Sequence, residues 1–452
     1  EILDVGLFHG QPGQPRLTWF ITANADALYE LIWINAASGT LAYNYSQLTH
    51  ARDRRIFDAN NSSLVPAAPA RSETQGPTGI TEVDNGFDFT GDFWNYFYTV
   101  HGRDSYDNAG AALNATVRYC DARNTGCPMK SAFWDGTLSV QRIFLGAGYA
   151  TDDVIAHEFT HAVIDSTSNL IYSGESGALN ESYADIFGET IDLWNGKGND
   201  APDLRWMIGE ELPDYTGTGL RNMRDPALAG QPGHVTDASY QCDASDNYGV
   251  HQNSSVANHA YALMVDGGIY NGYTINGIGL DKAAKIQYRT LLFLPAASRL
   301  VDNFDGLNQA CNELTGTEGI TSDDCAQVKA AGLAVEMTTP PCGGMTLPTG
   351  DPAQFIIEGP DVLVTTEGAG VTTFTIALNK PPSGDVYVPL STTNAAEGRV
   401  TPLELVFTSS NWNQPQTVRV VGADDRVIDG DVDYQVIVGP VDSMDFEFAR
   451  VL

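Results

Sequence analysis

The segment His157-Glu-Phe-Thr-His161 constrains this chain more than any other. Two histidines four positions apart share one face only on a helix, so the residues around them must be helical for the pair to act together. The flanks suit that demand, with apolar Val154, Ile155, Phe159, Ala162 and Val163 at helical spacing. Both imidazoles then reach one ion, and Glu158 reaches a water in an open coordination position. Zinc lowers the pKa of such a water, and an adjacent carboxylate can take its proton as the water attacks a carbonyl carbon. The chain has only eight histidines, so this spacing is hard to assign to chance.

A site that keeps one position open needs a third protein ligand. "GALNESYADIFGE", read as the next helix over 177–194, supplies Glu181, with Asp185 one turn on. One carboxylate completes the tetrahedron and the other orients a ligand histidine. The developing oxyanion needs donors as well. Tyr172 and His251 are candidates, although by residue type alone each is equally an ordinary core or surface residue.

The stretch "DDVIAHEFTHAVIDSTSNLIYSGESGALNESYADIFGE", with "GLRNMRDP" and "DNYGVHQNSSVANHAYALM" after it, resembles the centre of the thermolysin-like neutral zinc metallopeptidases, over about residues 88–335. The resemblance implies a zincin core of α+β class, with an abbreviated β-rich N-terminal lobe and a mainly helical C-terminal lobe. It implies an endopeptidase with one catalytic Zn2+ on His157, His161 and Glu181, and Glu158 as general base. Tyr172 and His251 become donors to the tetrahedral oxygen, with Asp246 bracing His251. Asp185 corresponds to the aspartate bonded to the first histidine ligand, and Asn180 to the asparagine just before the glutamate ligand. Arg221 would hold a substrate carbonyl. Val154, Ile208 and Leu220 would line a pocket for a bulky apolar residue just after the scissile bond. The family's substrate-binding edge reads "NAFW"; here it is "SAFW", so that Ser131 replaces an amide beside Ala132 and Trp134, and a hydroxyl has a shorter reach and a single donor.

The same resemblance implies structural Ca2+ near the active helices. Asp153, Asp192 and Glu210 match ligand positions, whereas Arg205 and Met207 stand where two further carboxylates are expected. One calcium is therefore expected, with Asp203 or Glu211 recruited, rather than a double site.

Beyond the motif, 57 Asp+Glu against 24 Lys+Arg give a net charge of −33, which opposes binding to nucleic acid or an anionic membrane. This acidity reads equally as a calcium-rich surface or as plain surface charge. Six cysteines without a Cys-x-x-Cys pair suit disulfides in an oxidising compartment. Proximity groups Cys120 with Cys127 and Cys311 with Cys325, which leaves Cys242 and Cys342. No run of eighteen apolar residues exists, so no membrane-spanning helix is expected, and an extracellular location follows from the cysteines and the chemistry.

The text divides into a β-rich segment (1–87), the first part of the core with the motif helix (88–180), a helical lobe (181–337), a Pro/Gly linker (338–352) and an all-β sandwich (353–452). Residues 16–45 read as an antiparallel meander resembling the end of a propeptide domain, either retained so that the mature chain starts near Glu1, the favoured reading, or present because this form is uncleaved; the plain alternative is an unusual N-terminal sheet. Residues 353–452 resemble a Calx-β module, a candidate for binding a surface or another protein. Its Glu367, Asp424, Asp425, Asp429, Asp431 and Asp433 read either as a calcium cage or as an acidic surface loop. The protein or peptide substrates implied by the motif make an enzyme the favoured reading. The rival is an extracellular adhesive or structural protein that uses the fold as a scaffold.

Overall fold

The computed structural model describes residues 2–3, 16–25, 28–36, 41–46, 52–120, 127–138, 140–199, 201–215, 219–344, 354–360, 362–382, 385–408, 410–424, 430, 432–439, 441–443 and 448. Near the N-terminus, Arg16–Ala25, Leu28–Asn35 and Leu41–Ser46 form the expected antiparallel meander, with Ile2–Leu3 added at its edge.

The next part of the chain begins with a crossover. Arg54–Ser62 runs parallel to Leu113–Tyr119, and the connection between parallel strands needs a helix. That helix, α1 (Thr81–His101), buries Val83, Phe87, Phe93 and Phe97, with Phe93 against Phe159 and Phe97 against Phe187 of the helices that follow. It starts seven residues before the expected break at 87–88, because Val83 and Phe87 extend the apolar stripe. Glu82 and Asp84 complement the dipole of its first turn. The five-stranded sheet has the order Arg71–Ser72, Arg54–Ser62, Leu113–Tyr119, Arg142–Leu145, Ala132–Asp135. Ala132–Asp135 is therefore an edge, antiparallel to Arg142–Leu145.

Six helices follow: α2 (Asp152–Asp165), α3 (Gly174–Asn195), α4 (Asp246–Asp266), α5 (Leu280–Leu291), α6 (Leu300–Leu314) and α7 (Ser322–Ala334). The expected division at 180–181 lies inside α3. Residues 174–192 of α3 are buried throughout, as fits a helix packed between α2 and α4. The pairs Cys120–Cys127, Cys242–Cys342 and Cys311–Cys325 are disulfides, as proximity grouped them.

The C-terminal region has a core of its own. Phe355–Glu358, Val371–Leu378, Gln416–Gly422 and Gly398–Thr401 form one antiparallel sheet, and Glu404–Phe407, Val386–Thr392 and Val436–Val438 form another. Phe374, Ile376, Val386, Val388, Val418 and Val420 point inward with the period of two that the sequence carries.

The approach of α2 to α3 depends on Gly188. A Cβ there would lie 2.9 Å from the Asp153 carbonyl and 3.4 Å from the His157 Cβ. On an open helix face Gly→Ala gains up to about 1 kcal/mol, but here overpacking costs about 1–3 kcal/mol. Gly188→Ala should therefore lower the calorimetric unfolding midpoint; an unchanged or raised midpoint would show that the helices are not held at this distance.

Candidate active site

Helix α2 carries His157, Glu158 and His161, and α3 carries Glu181 across from them. The His157 and His161 Nε2 atoms are 3.1 Å apart. Glu181 Oε2 lies 3.5 Å from His157 Nε2, and Glu181 Oε1 lies 3.6 Å from His161 Nε2. Among the described residues, this is the one group of three or more such side chains whose ligand atoms all lie within 4.8 Å of one another. Glu181 Oε2 is buried with no hydrogen-bond partner among them. A buried carboxylate oxygen left in this state is costly, and a cation between the three side chains would satisfy it. The donor set of two imidazoles and one carboxylate fits zinc with an open fourth position.

The outer nitrogens of both histidines are held. His161 Nδ1 meets Asn180 Oδ1 at 2.7 Å, and Asn180 Nδ2 donates to the Leu170 carbonyl at 3.0 Å. His157 Nδ1 lies 2.9 Å from Asp185 Oδ1. Arg221 donates to both oxygens of Asp185, at 2.7 and 2.6 Å. Burial opposes ionisation of Asp185, but Arg221 and then His157 outweigh it and hold its pKa well below the carboxylate range. Burial likewise raises Glu181, yet His251, His161 and His157 bring it down to about 2. Glu158 differs: burial dominates, with the Glu181 charge adding to it, and its pKa rises to about 7 despite His157 and a hydrogen bond from the Trp134 backbone.

Tyr172 and His251 stand on the far side of Glu181. The Tyr172 hydroxyl donates to Glu181 Oε1 and lies 3.1 Å from His251 Nε2. His251 Nε2 is 3.5 Å from Glu181 Oε1. Asp246 fixes the ring through Nδ1 at 2.6 Å and also accepts from the His251 and Gln252 backbone N–H groups. This geometry needs a run of left-handed residues, Asp246, Asn247, Tyr248 and Gly249, with φ from 47 to 79°. The charge of Glu181, opposed by burial and helped by Asp246, raises the pKa of His251 to about 9.

Two models of one family match: the thermolysin metallopeptidase catalytic domain over residues 38–165, and its α-helical domain over residues 168–337. The chain belongs to the thermolysin metallopeptidase family. It is 39% identical over 311 residues to the thermostable neutral protease NprT of Geobacillus stearothermophilus, which covers 66% of this chain and 53% of that protein. It is 35% identical over 291 residues to a zinc metalloproteinase of Renibacterium salmoninarum, covering 59% and 51%. The chain thus spans about half the length of these relatives. Among solved structures, the precursor of protealysin, a metalloproteinase from Serratia proteamaculans, matches with a TM-score of 0.52 and 29% identity over 64% of this chain and 88% of that one.

The remaining family positions divide. Ile208 pairs with Arg221 across a two-residue ladder, and the Leu220 N–H donates to the Ile208 carbonyl at 2.6 Å. Val154 and Ile208 are buried, while Leu220 is 39% exposed, so one side of this apolar cluster faces solvent. Ser131 turns its hydroxyl to the Ala132 carbonyl at 3.2 Å. Trp134 is buried and bonded to Asp165 at 2.8 Å, so its side chain anchors the edge strand to α2 and only its backbone faces the site.

The thermolysin-family calcium positions also divide. Asp153, Asp192 and Glu210 are buried, but Asp203 and Glu211 are exposed. Asp152 and Glu189, which sequence reasoning missed, are buried with the first three. Their signal was position on the same two helices. Asp153 caps the Gly209 N–H at 2.6 Å, and Glu189 caps that of Trp206 at 2.8 Å. Asp192 Oδ1 and Glu210 Oε2 are buried without a hydrogen-bond partner. Burial first, then Asp152 and Glu189, push Asp192 far above its ordinary range; burial and Asp153 raise Glu210 to about 8. Arg205 turns away and pairs with Asp266 through two 3.1 Å bonds. In the C-terminal region, Glu367, Asp424 and Asp433 are exposed and do not converge; Asp425, Asp429 and Asp431 lie outside the described residues.

Without a cation, this cluster contributes to the slope of stability against pH. The folded pKa of Glu210 is about 8, above its ordinary 4.5. Its contribution is fully present below 4.5 and is lost as pH rises towards 8. The chelator-treated protein should therefore lose stability between those values in urea titrations, and Glu210→Gln should flatten the slope. A slope that the substitution leaves intact would assign it to other groups.

Proposed function

We propose that this chain is an extracellular zinc-dependent endopeptidase acting on internal bonds of protein or peptide substrates. The convergence of His157, His161 and Glu181, with Glu158 beside them and two donors opposite, carries this reading. Zinc held by the three ligands would supply Lewis acidity and lower the pKa of a water in the open position.

The chain's own residues supply the rest. Glu158, next to the first ligand, takes the proton of the attacking water and delivers it to the leaving nitrogen. His251, with a pKa near 9, is protonated at neutral pH and donates from Nε2 to the developing oxyanion together with Tyr172 Oη. The edge strand Ala132–Asp135 offers free backbone groups to an extended substrate, and Ser131 grips it less firmly than an asparagine would. Val154, Ile208 and Leu220 favour a bulky apolar residue just after the scissile bond, and Arg221, already oriented by Asp185, reaches its carbonyl.

Three disulfides suit an oxidising, extracellular setting, and no described helix is long and apolar enough to cross a membrane. A calcium ion held by Asp153, Glu189, Asp192 and Glu210 would neutralise their mutual repulsion with the oxygen ligands that ion prefers. The C-terminal sheets fit a Calx-β-like module that binds a surface or spaces the enzyme from it.

Cleavage of a peptide library tests the reading. The zinc-loaded protein should cut before bulky apolar residues, and a zinc chelator or Glu158→Gln should abolish cutting. His251→Ala should lower kcat by about 10²–10³. The profile of kcat/KM should be bell-shaped. It falls on the acid side as Glu158 takes up a proton, below 7 once zinc's charge is beside it, and on the alkaline side as His251 loses one, below 9 because zinc offsets the Glu181 charge that raises it. Undiminished cleavage by Glu158→Gln would end the mechanism, whereas a preference for small or charged residues would end only the pocket assignment.

A further inference from the structure

We infer that Asn258 is a positioning residue of the zinc site, tying the ligand His157 and the donor His251 to one frame through Asp185. The inference rests on the zinc-peptidase reading above and assigns a role to a side chain which that reading does not use.

Asp185 is fully buried on α3 and receives groups from three other elements. Its Oδ1 faces Arg221 Nη2 at 2.6 Å and His157 Nδ1 at 2.9 Å. Its Oδ2 accepts from Arg221 Nε at 2.7 Å and from Asn258 Nδ2 at 2.7 Å. A carboxylate has about four acceptor sites; Arg221 and Asn258 donate to three of them and His157 Nδ1 stands close to Oδ1 without an aligned hydrogen bond, so the group is held against turning. It fixes the His157 ring with Nε2 towards Glu181.

Asn258 brings α4 into that arrangement. It follows His251 by seven positions (251 to 258), which is close to two turns of helix, so the two residues share a face. His251 stands at the start of α4, 3.5 Å from Glu181, and any slide of α4 along α3 would move it. The Asn258–Asp185 bond pins that register at the zinc-ligand end.

A purely structural role fits poorly. Asn258 is 1% exposed, and its Oδ1 has no hydrogen-bond partner among the described residues. A buried amide with an unused acceptor costs stability. Leucine has nearly the same shape without that cost, and Asp185 would keep Arg221 and His157. For folding, leucine removes the cost of the unused acceptor but takes one donor from the buried Asp185 carboxylate, so the two changes offset and the amide's value lies in its donor.

The test compares wild type, Asn258→Leu and Asn258→Ala, each first stripped of metal. The metal-free Leu variant should unfold near the wild-type midpoint. Both variants should bind zinc more weakly by about 10–100-fold in competition with a chromophoric chelator. Loaded with saturating zinc, both should lose kcat while KM for an apolar peptide stays unchanged, since no substrate contact is removed. Wild-type zinc affinity in both variants would overturn the proposal. So would a lowered metal-free midpoint in the Leu variant with kcat and zinc affinity intact. A wild-type protein that neither binds zinc nor cleaves would instead overturn the enzymatic reading.

Discussion

A single buried charge, Asp185, organises the active half of this protein. An ionised carboxylate taken out of water is costly unless nearly every lone pair is met by a donor. Meeting that demand brings Arg221 from the hairpin, His157 from α2 and Asn258 from α4 to one point on α3. Each of these residues, or a neighbour, belongs to the proposed site. The close α2–α3 approach that Gly188 permits belongs to the same constraint, because His157 must come within reach of both Asp185 and Glu181. Helix packing and site geometry are thus one problem here, solved around one side chain.

The carboxylates along α2 and α3 divide the proposed work by environment. Glu181, facing three histidines, is held down near 2, whereas Glu158, one residue from a ligand but with fewer donors, rises to about 7. The first suits a permanent ligand and the second a base that must both take and release a proton. At the other end of the same helices, Asp153, Asp192 and Glu210 face more negative charge and are all raised. The difference between the two ends lies in what surrounds the carboxyl groups, histidine and arginine at one and further carboxylates at the other, and it is why one end is read as a catalytic centre and the other as a place for a structural cation.

Much of this was legible in the sequence because helical spacing is local. His157 and His161 declare their shared face without reference to the rest of the chain, and "ESYAD" does the same for Glu181 and Asp185. The strands of the C-terminal region were equally plain, since a period of two with turn residues between needs no long-range information. The start of α1 was missed because Val83 and Phe87 sit among Asp, Asn and Gly, which read as a loop until the sheet beneath them is known. Trp134 was expected at the substrate and lies under the edge strand, because a tryptophan's direction depends on which face of the strand meets α2. Glu211 is exposed yet its carboxylate approaches that of Asp152 across Gly198, whereas Asp152 and Glu189 join the proposed cation cluster from the helices themselves. Arg205 could be seen to break the acidic pattern, but only the structure supplies its partner, Asp266.

The rival reading, a scaffold that has kept the fold and lost the chemistry, is weakened by where this chain bears its costs. Glu181 Oε2, Asp192 Oδ1, Glu210 Oε2 and Asn258 Oδ1 are buried polar atoms without hydrogen-bond partners among the described residues. Asp246, Asn247 and Tyr248 adopt left-handed backbone, which Asp and Asn tolerate but which is unfavourable by about 1–2 kcal/mol for a residue such as Tyr248. None of these features helps the chain to fold. Substitution drifts towards cheaper residues wherever function does not hold it back, and two of these positions show such a residue plainly: glycine at 248 and an amide at 192. Such features occur elsewhere as well, at Asn114, Gln287, Arg118 and Trp206 among others, but those at Glu181, in the loop that aims His251 and in the proposed cation cluster stand where a working zinc peptidase would need them.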